Sequence, residues 1–180
     1  MRLLKKIIIA VVIIIAIPLI AALFVKKDYA VERTITINKP KQQVFDYIKY
    51  LKNQDNYSKW NKTDPAMKKT YKGTDGTVGF IAAWQSNDKH VGVGEQEILN
   101  IVEGERIDTK LRFTVPFKAQ DDAYMTTTPV DSLTTKVTWG FKGAFPYPMN
   151  IMNLFVNMDK AVGGDLETGL ANLKSVMEKQ

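Results

Sequence analysis

The chain has one histidine, His90, and two glutamates two residues apart, Glu95 and Glu97. These are the side chains best suited to proton transfer. An imidazole titrates near neutral pH, and paired carboxylates in unlike surroundings can split acid and base roles. His90 follows the polar turn Ser86–Lys89, a place for an exposed hairpin residue. Glu95 and Glu97 would share a strand face with Val91, Val93, Leu99 and Ile101, which could carry them toward the mouth of a cavity. A solvated strand face is the simpler reading, so Glu95 is only a weak catalytic candidate. The 180 residues include no cysteine. That removes disulfides, thiolate metal sites and thiol nucleophiles together. One histidine cannot build a histidine-cluster metal site, so neither a metal nor a cofactor is expected. Asp64–Pro65 reads as a turn start. The glycine-rich pieces lack the Lys-Ser/Thr and strand-to-helix context of a phosphate loop.

The elements that would position these residues begin after an apolar leader. Ile7 to Val25 holds no charged residue and as a helix would span roughly 28 Å, close to a hydrocarbon core. Pro18 within it is compatible with a transmembrane helix. A cleaved signal peptide would have a shorter apolar core and a small-x-small site, so an uncleaved anchor over residues 1–27 is the expectation. Net charge is +6 from 25 basic and 19 acidic residues. Arg2, Lys5, Lys6, Lys26 and Lys27 supply +5 of it, leaving 20 basic and 19 acidic residues from Asp28 onward. The basicity therefore belongs to the membrane flanks, and no nucleic-acid partner is expected. Three charges and the amino terminus before the run, against two after it, favour a cytoplasmic N terminus. The domain would then lie on the outer, periplasmic or extracytoplasmic side.

Residues 28–180 read as one domain, large enough to bury roughly 70% of its unfolded surface without cross-links. Tyr29–Asn38 alternates, with Val31, Arg33, Ile35 and Ile37 on one face, and is a strand. Asn38, Pro40 and the spacing of Val44, Ile48 and Leu51 announce a helix. A short helix is expected around Ser58–Asn61. Strands then follow over Val78–Trp84, His90–Val102 and Arg106–Phe117, with a hairpin over Ala123–Phe141 turning near Pro129–Ser132. Val137, Trp139 and Phe141 share a face, as do Ile107, Leu111, Phe113 and Val115. One apolar and one polar face per strand is the mark of an antiparallel sheet covered on one side. From Ile151 to Glu178 a stripe at steps of three and four (Phe155, Met158, Val162, Leu166, Leu170, Leu173, Met177) predicts one long amphipathic helix that covers the sheet. Gly163, Gly164 and Gly169 in it would either leave room for a ligand or a close sheet contact, or mark a kink.

Five segments in order resemble the START-like, SRPBCC or polyketide cyclase/dehydrase superfamily, most of all its bacterial members with an N-terminal membrane helix. They are Val31–Ile48 (VERTITINKPKQQVFDYI), Trp60–Gly79 with its Trp…Asp-Pro-x-Met…Tyr-x-Gly pattern, Trp84–Ile98, Val137–Gly143 (VTWGFKG) and Gly163–Lys174. The resemblance covers roughly residues 30–178. It implies an α+β helix-grip fold: a curved antiparallel sheet of about seven strands wrapped on a long C-terminal helix. It also implies a hydrophobic cavity between sheet and helix. Phe80, Trp84, Phe113, Tyr124, Trp139 and Phe141 from the strands, with Phe155 and Met158 from the helix, are the expected lining, although each could equally be plain core.

The expected function is a non-catalytic, membrane-tethered monomer that binds a hydrophobic small molecule or lipid. A cyclase- or dehydratase-like enzyme using the same cavity is the alternative that the family name suggests, and a closed-core interaction domain is a third. A polar acid–base pair inside the cavity would favour the enzyme.

Overall fold

A computed structural model describes residues 2–180. Helix α1 (Arg2–Ala22) is long and apolar enough to cross a membrane, and it is not buried against the rest of the chain. It ends three residues before the apolar run does, and the domain itself satisfies its end. Asn150 Nδ2 donates to the carbonyls of Ala22 (2.6 Å) and Val25 (2.8 Å), and Asn153 Nδ2 to that of Lys26 (2.9 Å). The last carbonyls of a helix lack intrahelical partners; here Asn150 serves Ala22 and the Tyr147 hydroxyl serves Leu19 (3.3 Å), while the Val25 and Lys26 contacts hold the segment just after the helix.

Seven strands form one antiparallel sheet in the order β1-β7-β6-β5-β4-β3-β2: β1 Asp28–Ile37, β2 Lys68–Lys72, β3 Ile81–Gln85, β4 Val93–Val102, β5 Arg106–Val115, β6 Ala119–Pro129 and β7 Thr135–Ala144. Helices α2 (Lys41–Ile48), α3 (Gln54–Tyr57) and α4 (Lys59–Thr63) connect β1 to β2. Helix α5 (Met158–Glu178) closes the chain. The expected helix-grip architecture is therefore present, with shifted boundaries. Lys68–Lys72 forms an edge strand in addition to the strands that the alternation predicts. Phe80 lies just outside its strand, and β6 begins four residues before Ala123.

The C-terminal helix also starts later than Ile151. Residues Met149–Leu154 form a 3-10 turn, and the Asn157 side chain accepts the Lys160 N–H at 3.0 Å. An asparagine N-cap outweighs an apolar repeat that happens to run on behind it. Once started, α5 is continuous through its glycines. An added Cβ at Gly163 would lie 2.2 Å from the Arg33 guanidinium, and one at Gly169 would lie 2.7 Å from the Trp139 ring. Both glycines serve close contact with the sheet, whereas Gly164 faces open space. Arg33 lies over Gly163, where its Nε donates to Glu167 (2.5 Å) and its Nη1 to Asp159 (2.8 Å). The buried stripe Leu166, Leu170, Leu173 and Met177 packs with Val31, Ile37, Val137 and Trp139. Because α5 rests chiefly on β1, with α3 and α4 on its flank, the concave face of β3–β6 is left incompletely filled.

Candidate ligand-binding site

The unfilled space is a cavity of about 440 Å³ between the sheet, α3–α4 and the first turns of α5. Ligand pockets typically measure roughly 300–1,000 Å³. Its walls follow from strand parity: Ala82 and Trp84 of β3, Gln96 of β4, Leu111 and Phe113 of β5, Ala123 of β6, Trp139 and Phe141 of β7. Trp84 meets Phe113 edge-on at 5.8 Å, and Trp139 meets Trp60 edge-on at 6.1 Å. At one end the wall is Tyr29, Phe145 and the β5–β6 connection Val115–Phe117. That end adjoins the exit of α1, since the Phe145 N–H donates to the Lys27 carbonyl at 3.0 Å.

Among the polar side chains of the wall, Tyr29 and Asp121 form a hydrogen-bonded pair at the α1 end. β1 pairs with β7 and β7 with β6, so Tyr29, Gly143 and Asp121 lie side by side on the cavity face. The Tyr29 hydroxyl donates to Asp121 Oδ1 at 2.9 Å. Gly143 makes the pair possible, because a Cβ there would lie 1.9 Å from Asp121 Oδ1 and 2.3 Å from Tyr29 Oη. Asp121 is only 6% exposed. Its carboxyl is held above the usual range chiefly by burial and also by the charge of Asp122, against the opposing effects of the Tyr29 hydrogen bond and Lys110. The Tyr29 phenol is likewise pushed up, by burial first and then by Asp121.

A raised native carboxyl pKa means that the folded state holds the proton more tightly than the unfolded chain does. Stability from this group is present below the ordinary aspartate value, about 4, and is lost as pH rises through the raised value. Asp121→Asn is expected to flatten that part of the melting profile and to raise Tm at neutral pH. Thermal unfolding of both proteins from pH 4 to 8 checks this; parallel profiles would refute it.

A family model described as "Polyketide cyclase / dehydrase and lipid transport" matches residues 29–178, which is nearly all of the chain after α1. The chain belongs to this family. No curated protein matches the chain significantly. Several solved structures share the fold. A solution structure of a Thermobifida fusca protein is 15% identical, with a TM-score of 0.61 over 83% of this chain and 93% of that one. Truncated norcoclaurine synthase from Thalictrum flavum is 8% identical, with a TM-score of 0.64 over 87% and 97%. A Mesorhizobium loti protein is 14% identical, with a TM-score of 0.57 over 84% and 98%. At such identities the likeness concerns the helix-grip fold alone.

Within the family fold, the expected lining residues divide. Trp84, Phe113, Trp139, Phe141 and Met158 line the cavity. Phe80 does not: it is buried in the closed part of the core, stacked on Tyr71 at 6.0 Å. Tyr124 lies on the opposite sheet face from Ala123 and Met125. There its ring covers Gly140 and carries the Arg106 guanidinium 4.1 Å above it. Phe155 precedes α5 and is 77% exposed.

Glu95 and Glu97 do not approach the cavity. Gln96 and Ile98 take the inward positions, and both glutamates pair with Arg112 on the outer face, at 3.0 and 2.7 Å. The irregularity between Ile98 and Asn100 resets the alternation. Ile101 thus packs inward although Glu95 and Glu97 point out. His90 is exposed in the β3–β4 turn, its N–H donating to Asp88 Oδ1 at 2.7 Å, and it sits on the cavity rim.

Proposed function

We propose that this protein is a membrane-tethered binding domain that takes a hydrophobic small molecule or lipid into the cavity between the sheet and α5. The cavity carries the reading: it is largely apolar, and one end of it adjoins the exit of α1. Exposed apolar side chains cluster by the chain segments at that end. Phe117 is 78% exposed and Leu154 62%, and Phe24 at the end of α1 is 85% exposed. Apolar surface of this kind is costly in water and is at home at a lipid interface. Asn150 and Asn153 fasten the domain to the Ala22 carbonyl that ends α1 and to the Val25 and Lys26 carbonyls just after it, so a helix spanning the bilayer would hold this end of the cavity near the membrane surface. A ligand could pass from the bilayer into the cavity with little exposure to water. The binding reading is tested by whether a lipid stays with the purified full chain.

Arg2, Lys5, Lys6 and the amino terminus outweigh Lys26 and Lys27, which favours a cytoplasmic amino terminus with the domain outside. A reporter fused after Gln180 that functions only outside the cytoplasm is expected to be active. Activity of a cytoplasm-only reporter at the same position would overturn the orientation.

One observation favours a second reading, a cyclase- or dehydratase-like enzyme in the same cavity: Tyr29 and Asp121 form an ionisable pair on its wall. Turnover that disappears in Asp121→Asn, while an apolar probe still binds, would support it.

A further inference from the structure

Resting on the binding reading above, we infer that Asp121 and Tyr29 form a head-group subsite and that the cavity selects amphiphiles carrying a protonated amine. Asp121 stands with Tyr29 at the α1 end of a largely apolar cavity whose other charged lining residues include Lys89 and the ion-paired Asp55 and Lys69. Among the described residues, no lysine, arginine or histidine forms an ion pair with it; the nearby Lys110 reaches Asp122 instead. One oxygen is taken by the Tyr29 hydroxyl, which fixes the carboxyl's orientation. The side chain is more than nine-tenths buried and lines the cavity.

A buried carboxylate without a cation is expensive unless a partner arrives with the ligand. The surroundings suit a cation further. Tyr29 stacks with Phe141 at 6.3 Å and lies 5.4 Å from Phe145, and both rings line the cavity beside Asp121. Aromatic faces next to a carboxylate are the chemistry that recognises ammonium groups. Gly143 is what clears the space for the pair. The head would therefore rest near the α1 end of the cavity, with the tail running toward Trp139 and Trp60. A carboxylate ligand of the same length would meet Asp121 as a like charge and be rejected.

The test uses the full chain released from detergent micelles in a native mass spectrometer, with equal concentrations of dodecylamine, dodecanol and dodecanoate. The amine adduct is expected to exceed each of the others about fivefold or more, the equivalent of roughly 1 kcal/mol. In Asp121→Asn, which keeps the shape of the side chain, the preference should vanish while dodecanol still binds. Adducts with no head-group preference, or a preference unchanged in Asp121→Asn, would overturn the subsite and leave the cavity reading standing. No adduct of any of the three would overturn both.

Discussion

Ala82→Phe is expected to weaken binding of an apolar fluorescent probe by about tenfold or more, ~1.4 kcal/mol, with little change in Tm. Ala82 sits mid-wall on β3, paired with Tyr71 of β2 and Gln96 of β4. All three side chains line the cavity. Ala82 is half-buried, and the space in front of it is the cavity rather than packed core. A phenyl ring there occupies volume that a ligand would need, and it makes the apolar contacts that the ligand would have made. Overpacking a filled core typically costs ~1–3 kcal/mol; filling an open cavity does not. The same change therefore separates ligand space from structural core. Titration of the wild type and the variant, both held in nanodiscs, reads the affinity, and thermal unfolding reads the fold. Equal probe affinity in the two proteins would place the binding space elsewhere.

Trp139→Ala is expected to remove about 3–5 kcal/mol of stability, a large share of the 5–15 kcal/mol typical of a domain. Trp139 is 5% exposed and is held from three sides. Tyr57 meets it edge-on at 5.7 Å and Trp60 at 6.1 Å, and α5 crosses it at Gly169, where a Cβ would lie 2.7 Å from the ring. Removing the indole thus separates α3, α4 and α5 from the sheet at their common contact. Trp139→Phe should retain most of the stability, because a ring still fills much of the site. Urea unfolding followed by circular dichroism measures both variants. A loss below about 0.5 kcal/mol in Trp139→Ala, the range of ordinary surface changes, would mean that the indole is not packed as described.

The architecture is legible in the sequence because burial is one-sided. The alternation of Val137, Trp139 and Phe141, and the stripe from Leu166 to Met177, each name a face directly. Boundaries are less legible, and the site depends on them. Tyr29 belongs to the inward face of a strand that is plain in the sequence, two residues before Val31. Asp121 shares the inward parity of Ala123 and Met125, but the strand signal begins only at Ala123, so the carboxylate falls outside it. The pair also depends on Gly143, a strand away from each, and no local pattern records that. Glu95 and Glu97 are misplaced for a related reason: an irregularity in β4 changes which residues share a face, and period two cannot anticipate it. Phe155 continues an apolar stripe by spacing alone, while the Asn157 cap decides where the helix begins. Tyr124 is buried by a cation and a bare glycine on the solvent side of the sheet, an arrangement that apolar patterning does not encode.

On the proposed reading the cavity holds an apolar ligand drawn from the membrane. Native mass spectrometry of the full chain, purified in detergent from its own membranes, tests it most directly. A lipid-mass adduct should be retained on the wild-type protein and be absent or greatly reduced in Ala82→Phe. Bare protein in both cases, with no adduct after incubation with excess membrane lipid, would contradict it.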